Sequence, residues 1–214
     1  MAQLEREHGL LARMRASATR SRIAIALALV VAMPLIVLLL APRPDIGVYP
    51  RARLVLEVLL YAVPALLATA LALWPLHRAE PSVARAIISG AAVLAAITVA
   101  SLPPAHADHP ASLAGGGDDF VARALGCMMY GIVCAIPAFI LLRLLAREGA
   151  RVGAKAWVLA FAAASCGAAA VFLHCPIVHV GHRWAGHVAV LVVAAVWAAL
   201  HLHGRARAAR PIDR

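Results

Sequence analysis

The sequence predicts an all-α, polytopic membrane protein with six transmembrane helices and with both termini in the cytoplasm. Hydrophobic residues make up 64% of the 214 residues and charged residues only 14%. A soluble domain of this length cannot bury that much apolar surface. The formal net charge of +10 comes from basic residues that lie mainly between long apolar runs, and this arrangement favours contact with anionic lipid over nucleic acid.

The apolar residues fall into six runs along the chain. Each run is long enough to cross a hydrocarbon core of ~30 Å as a helix that rises ~1.5 Å per residue. The runs cover residues 23–41, 54–76, 83–102, 120–145, 156–174 and 184–203. Because the connections are short, we divide the chain into a cytoplasmic basic tail (1–22), a six-helix transmembrane domain (23–203) and a second cytoplasmic basic tail (204–214).

The basic residues predict the orientation, since Lys and Arg accumulate on the cytoplasmic side of a membrane. With the N-terminus inside, fifteen of the 20 Lys and Arg residues face the cytoplasm and five face outward. The acidic, glycine-rich third loop (residues 103–119) then lies outside. We therefore predict a multi-pass membrane protein in which this loop faces the periplasmic or extracellular side.

Residues 165–187, SCGAAAVFLHCPIVHVGHRWAGH, form the most informative stretch and face the outer side in this topology. Side chains that bind metals are concentrated there: His174, Cys175, His179, His182 and His187. Near a membrane interface a histidine is either a polar rim group or a ligand. Cys175 with His182 and His187 could offer one thiolate and two imidazoles to a soft or borderline metal. Their spacing matches no standard zinc motif.

The four cysteines are Cys127, Cys134, Cys166 and Cys175. The fourth and fifth runs should form an antiparallel hairpin, in which residues whose numbers sum to about 300 lie level. Cys127 is then level with Cys175, and Cys134 with Cys166. Nine residues at ~100° each place Cys166 and Cys175 on opposite sides of one straight helix. Access to an oxidising compartment favours the outer pair as the reactive one and the inner pair as packing residues, while spacing alone leaves a bridge open.

The N-terminal tail carries Leu4, Leu11 and Met14 at roughly helical spacing between arginines. The stripe is typical of a solvated tail that fixes orientation or of an amphipathic helix that binds a partner or the membrane surface.

Three motifs resemble the NrsF family, the negative regulators of sigma F, which are six-helix anti-sigma factors of the bacterial inner membrane. They are LLLAPRPD after the first run, GCMMYGIVCAIPAFILLRLLAREGA across the fourth, and HCPIVHVGHRWAGH after the fifth. Together they are spread over residues 20–205. The most specific element is the Cys175-Pro176 step followed by His182 and His187, with Cys127 on the preceding helix. Cys134 and Cys166 are additions to the family's pattern.

The resemblance implies a function and a site. In that family the protein holds an extracytoplasmic-function sigma factor at the membrane, and two outer cysteines are implicated in sensing oxidants or heavy metals. Matched motif to motif, those sensor cysteines are Cys127 and Cys175, and a heavy-metal ion would use them with His182 and His187. The sigma factor would bind on the cytoplasmic face, through the tail at Leu4, Leu11 and Met14, with no direct contact to nucleic acid.

Other functional classes have weaker support. A small transporter would usually carry charges in the middle of its spans, and the central portions of the six runs contain none. A membrane redox protein would favour a C-x-x-C pair, and a haem protein would use histidines from two helices at matching depth. No catalytic constellation is legible, so we predict no enzyme and keep a transporter or a haem- or metal-binding redox protein as alternatives.

Overall fold

The computed structural model describes residues 19–73, 90–91, 93–94, 96–98, 101, 119–145 and 152–208. All regular structure in these ranges is helical. The elements are α1 (Thr19–Leu40), α2 (Arg51–Leu73), α3 (Phe120–Leu145), α4 (Val152–His174), α5 (Val180–His182), a π-helical turn (Arg183–Val188) and α6 (Ala189–Ala208). The last three follow one another without a break and act as one long helix.

Five helical segments of the described ranges are long and apolar enough to cross a membrane. They are Thr19–Leu40, Arg51–Ala70, Phe120–Leu145, Trp157–His174 and Val180–Ala198. This confirms the all-helical fold in the described ranges and is consistent with a multi-pass membrane protein. The third predicted span, residues 83–102, lies largely outside the described residues, so the count of six and the placement of both termini inside stay predictions. Where it is described, at 90–91, 93–94 and 96–98, the chain is helical.

Helix α4 occupies the centre of the bundle, and 78% of its residues from Trp157 to His174 are buried. Its small-residue run (AFAAASCGAAA) explains this position, because small side chains allow neighbouring helices to approach closely. The closest approach is to α3, where a Cβ atom built on Gly167 would lie 2.3 Å from the carbonyl oxygen of Gly131. The antiparallel hairpin of α3 and α4 is therefore held at a backbone contact that only glycine allows.

The two inner cysteines lie in apolar surroundings near this contact. Cys134 is buried against Val37 and Ala170, and Cys166 is buried with its thiol 3.5 Å from the carbonyl oxygen of Val30. Both positions suit the packing role that we expect for these two residues.

A polar contact marks each end of the bundle. At the end that we call the site end, the Arg43 amide donates to the carbonyl of Leu173 at 2.9 Å, which joins the α1–α2 connection to the end of α4. At the opposite end the guanidinium of Arg22 donates to the carbonyl of Leu145 at 3.1 Å. Arg22 is buried there and caps the last turn of α3, where free carbonyls favour a cation.

The predicted domain limits at residues 22 and 204 stay predictions, since most of both tails lies outside the described residues. Within them, the described part of α1 starts at Thr19 and that of α6 ends at Ala208.

Candidate metal centre

The connection after α4 begins with a helix stop. Cys175 still donates its amide to the carbonyl of Val171 at 2.7 Å. Pro176 has no amide hydrogen to continue the ladder, so the helix ends before it. The chain then turns at the site end and enters α5 at Val180. This local chemistry leaves Cys175 buried at the mouth of the hairpin.

The π-helical turn that follows decides which histidines face inward. Its closing bond runs from the amide of Ala189 to the carbonyl of Trp184, five residues back. In an α-helix, residues five apart point ~140° apart, whereas an i→i+5 turn brings them onto one face. His182 and His187 are five apart, and both are buried within this region. Such π turns are frequent at functional sites.

Four potential ligand atoms meet at this point. The ligand atoms of Cys127, Cys175, His182 and His187 all lie within 4.8 Å of one another. Nε2 of His182 lies 3.3 Å from Sγ of Cys127 and 3.4 Å from Sγ of Cys175. The four side chains come from α3, from the connection after α4, from α5 and from the π turn. Because α5 and the π turn are continuous, the cluster links three parts of the bundle: α3, the connection after α4 and this last helical segment.

The histidine rings lack the hydrogen bonds that burial normally demands. His187 is only 1% exposed, yet neither of its ring nitrogens has a hydrogen-bond partner among the described residues. Nδ1 of the buried His182 also has no hydrogen-bond partner among the described residues. Leaving buried polar atoms unpaired is costly. Two thiols and an unpartnered imidazole converge here, and a bound cation would give these buried atoms a partner.

A glycine allows the π turn to reach α3. A Cβ atom on Gly186 would lie 3.0 Å from Cβ of Cys127 and 3.2 Å from the carbonyl oxygen of Ala124. Any side chain at this position would push the turn away from α3. Gly186 therefore sets the distance between Cys127 and the two histidines.

The environment of Cys175 favours its thiolate. Cys127 and His182 hydrogen-bond to its sulfur, and these contacts lower the pKa of the Cys175 thiol below its ordinary value although burial opposes the shift. A thiolate is the form of cysteine that binds metals and reacts with oxidants.

The donor set fits a d¹⁰ metal ion. Two sulfurs and two imidazole nitrogens are the ligands of tetrahedral zinc sites, with bonds of ~2.0–2.3 Å that place ligand atoms about 3.3–3.8 Å apart. The two measured separations of 3.3 and 3.4 Å match that spacing, and the largest in the cluster is within 4.8 Å. Only small side-chain movements would close the tetrahedron. The cluster could therefore hold a metal ion.

The other candidate histidines lie outside the cluster. Nδ1 of His174 lies 3.0 Å from the carbonyl oxygen of Ala41, and its ring stacks on Tyr130. His179 is exposed and packs edge-on against Phe120. Both serve as polar rim groups. The partner-binding candidates Leu4, Leu11 and Met14 lie outside the described residues.

A buried ion-pair network beside the cluster was missed from the sequence. Glu57 and Arg183 are 0% and 2% exposed, and their side chains meet at 3.3 Å. Arg53 binds the same carboxylate at 2.6 Å, and the Tyr49 hydroxyl donates to it at 3.0 Å. Burial chiefly raises the pKa of Tyr49, which keeps this hydroxyl a donor. A glutamate inside an apolar run, four residues after an arginine, was the available signal.

The arrangement can perform two kinds of chemistry, which are metal coordination and thiol oxidation. Comparison with protein-family models, with curated proteins and with solved structures found no match. The interpretation of the site therefore rests on its geometry and on the sequence motifs.

Proposed function

We propose that this chain is an anti-sigma factor of the bacterial inner membrane, which sequesters an extracytoplasmic-function sigma factor and releases it when Cys127 and Cys175 meet an oxidant or a heavy metal. The observation that carries the proposal is the convergence of Cys127, Cys175, His182 and His187 within 4.8 Å. These are the residues that the resemblance to the NrsF family singles out. The choice of a sigma factor as partner comes from that resemblance alone.

The cluster is well suited to receive a signal because its residues lie on separate elements. A metal bond or a disulfide between Cys127 and Cys175 would join α3 to the connection after α4. Cys127 lies about one helical turn before Gly131, where α3 touches Gly167 of α4. Such a tight backbone contact cannot absorb a shift by local deformation, so the hairpin would move as a unit.

The opposite end offers a route to the partner. The last turn of α3 holds Arg22 of α1 through the Leu145 carbonyl, and α1 continues the N-terminal tail that carries Leu4, Leu11 and Met14. A displacement of α3 would thus reach the tail through a buried hydrogen bond. With the N-terminus inside, this end is cytoplasmic and basic, which suits an acidic surface on the partner.

The metal at the site would be a zinc-like or cadmium-like ion. Thiolate and imidazole ligands select soft and borderline cations over Mg²⁺ and Ca²⁺. The side chains would hold the ion, exclude water and link the three elements. A clean switch needs the signal to discriminate the two states by several kcal/mol, of the order of 5.5 for a change from 1:99 to 99:1.

Co-purification tests the proposal. The full chain, solubilised in detergent from cells of its source organism, should retain a sigma factor, and peroxide or Cd²⁺ should release it. Cys127→Ser and Cys175→Ser should keep the partner bound under both treatments. Cys134→Ser and Cys166→Ser are matched controls, since they change a cysteine in α3 and one in α4 away from the cluster.

Two results would overturn the proposal. One is release that survives both outer substitutions. The other is a purified protein that carries no sigma factor and shows a Soret band, which would favour the alternative of a haem-binding redox protein.

A further inference from the structure

Both thiols of the cluster are needed for either of its two chemistries. A tetrahedral ion takes both sulfurs as thiolates and holds them about 3.8 Å apart. A disulfide joins the same two atoms at ~2.05 Å. Cys127 and Cys175 cannot do both at once, and the structure places their sulfurs within 4.8 Å of each other, close enough for either state.

We propose that a bound d¹⁰ metal ion and a Cys127–Cys175 disulfide are alternative states of this one site, so that metal occupancy protects the thiols from oxidation. The inference takes one element from the proposed function, namely that the cluster binds a metal ion. It adds that metal ion and oxidant compete for the same two sulfurs, although either of them would trigger release. An oxidant reaches the site in its metal-free form or by expelling the ion.

The two histidines make this competition possible. His182 lies within 3.4 Å of both sulfurs, and the buried His187 brings ring nitrogens that have no other partner in the described part of the chain. Together they complete four ligands, so the ion needs no water and leaves no open position for an oxidant. A closed coordination shell is the mark of a structural site rather than a catalytic one.

The oxidation step balances with hydrogen peroxide as the oxidant. The Cys175 thiolate attacks one peroxide oxygen, the O–O bond breaks, a sulfenic acid forms, and the other oxygen leaves as hydroxide, which takes up the proton that Cys175 had released and becomes water. Sulfur of Cys127 then attacks that sulfur, the S–S bond forms, the S–O bond breaks, and the hydroxyl group leaves with the Cys127 proton as the second water. Overall, two thiols and one peroxide give one disulfide and two waters. From the metal-loaded state the two missing protons come from solvent, and the ion leaves as a free cation.

Thiol oxidation of the purified full-length chain, with Zn²⁺ as the probe, tests the inference. The disulfide is measured as the Cys127–Cys175 cross-linked peptide after a timed exposure to peroxide and alkylation of the remaining thiols. We expect the metal-free chain to form it readily. At free Zn²⁺ of 100 times its Kd, the metal-free fraction falls to about 1%, so oxidation should slow by up to about 100-fold.

Variants assign the protection to the cluster. His182→Ala and His187→Ala keep both thiols but should lose the protection at the same Zn²⁺ concentration. His179→Ala is the matched control, because this exposed histidine lies just before α5, three positions from His182, and outside the cluster. It should be protected like the natural chain.

Each contrary outcome has a definite meaning. Zinc bound at one ion per chain without slower oxidation would overturn the inference and leave the metal site intact. No bound zinc would overturn both the inference and the metal site. No Cys127–Cys175 disulfide in the metal-free chain, or protection that survives both histidine changes, would overturn the inference. Partner release has no part in this readout, so a failed anti-sigma function would be seen only in the co-purification.

Discussion

Glu57 and Arg183 form a buried ion pair that ties helix α2 to the turn that carries His187. The carboxylate and the guanidinium meet at 3.3 Å, and Arg183 follows His182 directly in the chain. The pair bridges 126 residues of sequence. Because Arg183 is anchored to α2, the π turn cannot rotate without moving a charged group out of its partner's reach. The network thus orients the histidine ligands without supplying a ligand itself.

Glu57→Gln should loosen this anchor. The change leaves the buried Arg183 without its counter-charge, and breaking a buried pair from one side typically costs 3–5 kcal/mol. Loss of such orienting contacts around a metal site lowers affinity by about 10- to 100-fold. Zinc titration and thermal unfolding of the purified chain measure the two effects.

The matched control for this change is Asp119→Asn, which also turns a carboxylate into an amide. Asp119 pairs with Arg123 on the surface, with side chains 74% and 53% exposed, and exposed pairs contribute about 0–1 kcal/mol. Equal zinc affinity in Glu57→Gln and in the natural chain would show that the network has no orienting role.

Gly186→Ala should weaken metal binding without removing a ligand. The added Cβ would lie 3.0 Å from Cβ of Cys127, so α3 and the π turn must separate by a few tenths of an ångström or more. Overpacking of this kind costs about 1–3 kcal/mol, and a site needs its ligands within about 0.5 Å of the right geometry. Replacing the zinc ion with Co²⁺ and recording the d–d absorption of the cobalt would reveal the distorted coordination. An unchanged spectrum and affinity would refute this role of Gly186.

Gly167→Ala should disrupt the α3–α4 hairpin more severely. Its Cβ would lie 2.3 Å from the backbone oxygen of Gly131, and a backbone atom cannot move aside as a side chain can. We expect a loss of at least about 1–3 kcal/mol, seen as a lower unfolding temperature in detergent. Gly126→Ala on α3 is the control, since nothing lies within 4 Å of its Cβ position. Similar unfolding temperatures for the two variants would contradict the contact.

Residue types, hairpin register and the sequence motifs named all four residues of the site, but register explained the positions of only the two cysteines. The level positions of Cys127 and Cys175 followed from simple numbering across the turn, because α3 and α4 are regular. The joint inward facing of His182 and His187 did not, since α-helical periodicity separates them by ~140° and only the π turn brings them together. The Glu57–Arg183 pair also escaped prediction, because local patterns carry no information about a partner 126 residues away.

Arg22→Gln tests the route from the site to the partner. Arg22 is 2% exposed, and its guanidinium donates to the Leu145 carbonyl at 3.1 Å, at the end of the bundle opposite to the metal centre. A charge-assisted hydrogen bond of this kind contributes about 1.5–3 kcal/mol. Its loss would weaken the link between the last turn of α3 and α1, where apolar packing remains. We expect normal zinc binding and normal peroxide-driven disulfide formation, but a weaker release of the partner for the same degree of oxidation.

Arg20→Gln is the matched control for this change. Arg20 lies on the same turn of α1 and is exposed, so its loss removes the same charge from the same end of the bundle. If both variants released less partner, the effect would come from the lost charge. If neither did, the signal would not pass through the Arg22 contact. A defect confined to Arg22→Gln, with the disulfide formed as usual, would show that the Arg22 contact helps to carry movement of α3 to α1, beside the apolar packing of Ala26 against Leu142 and Leu145.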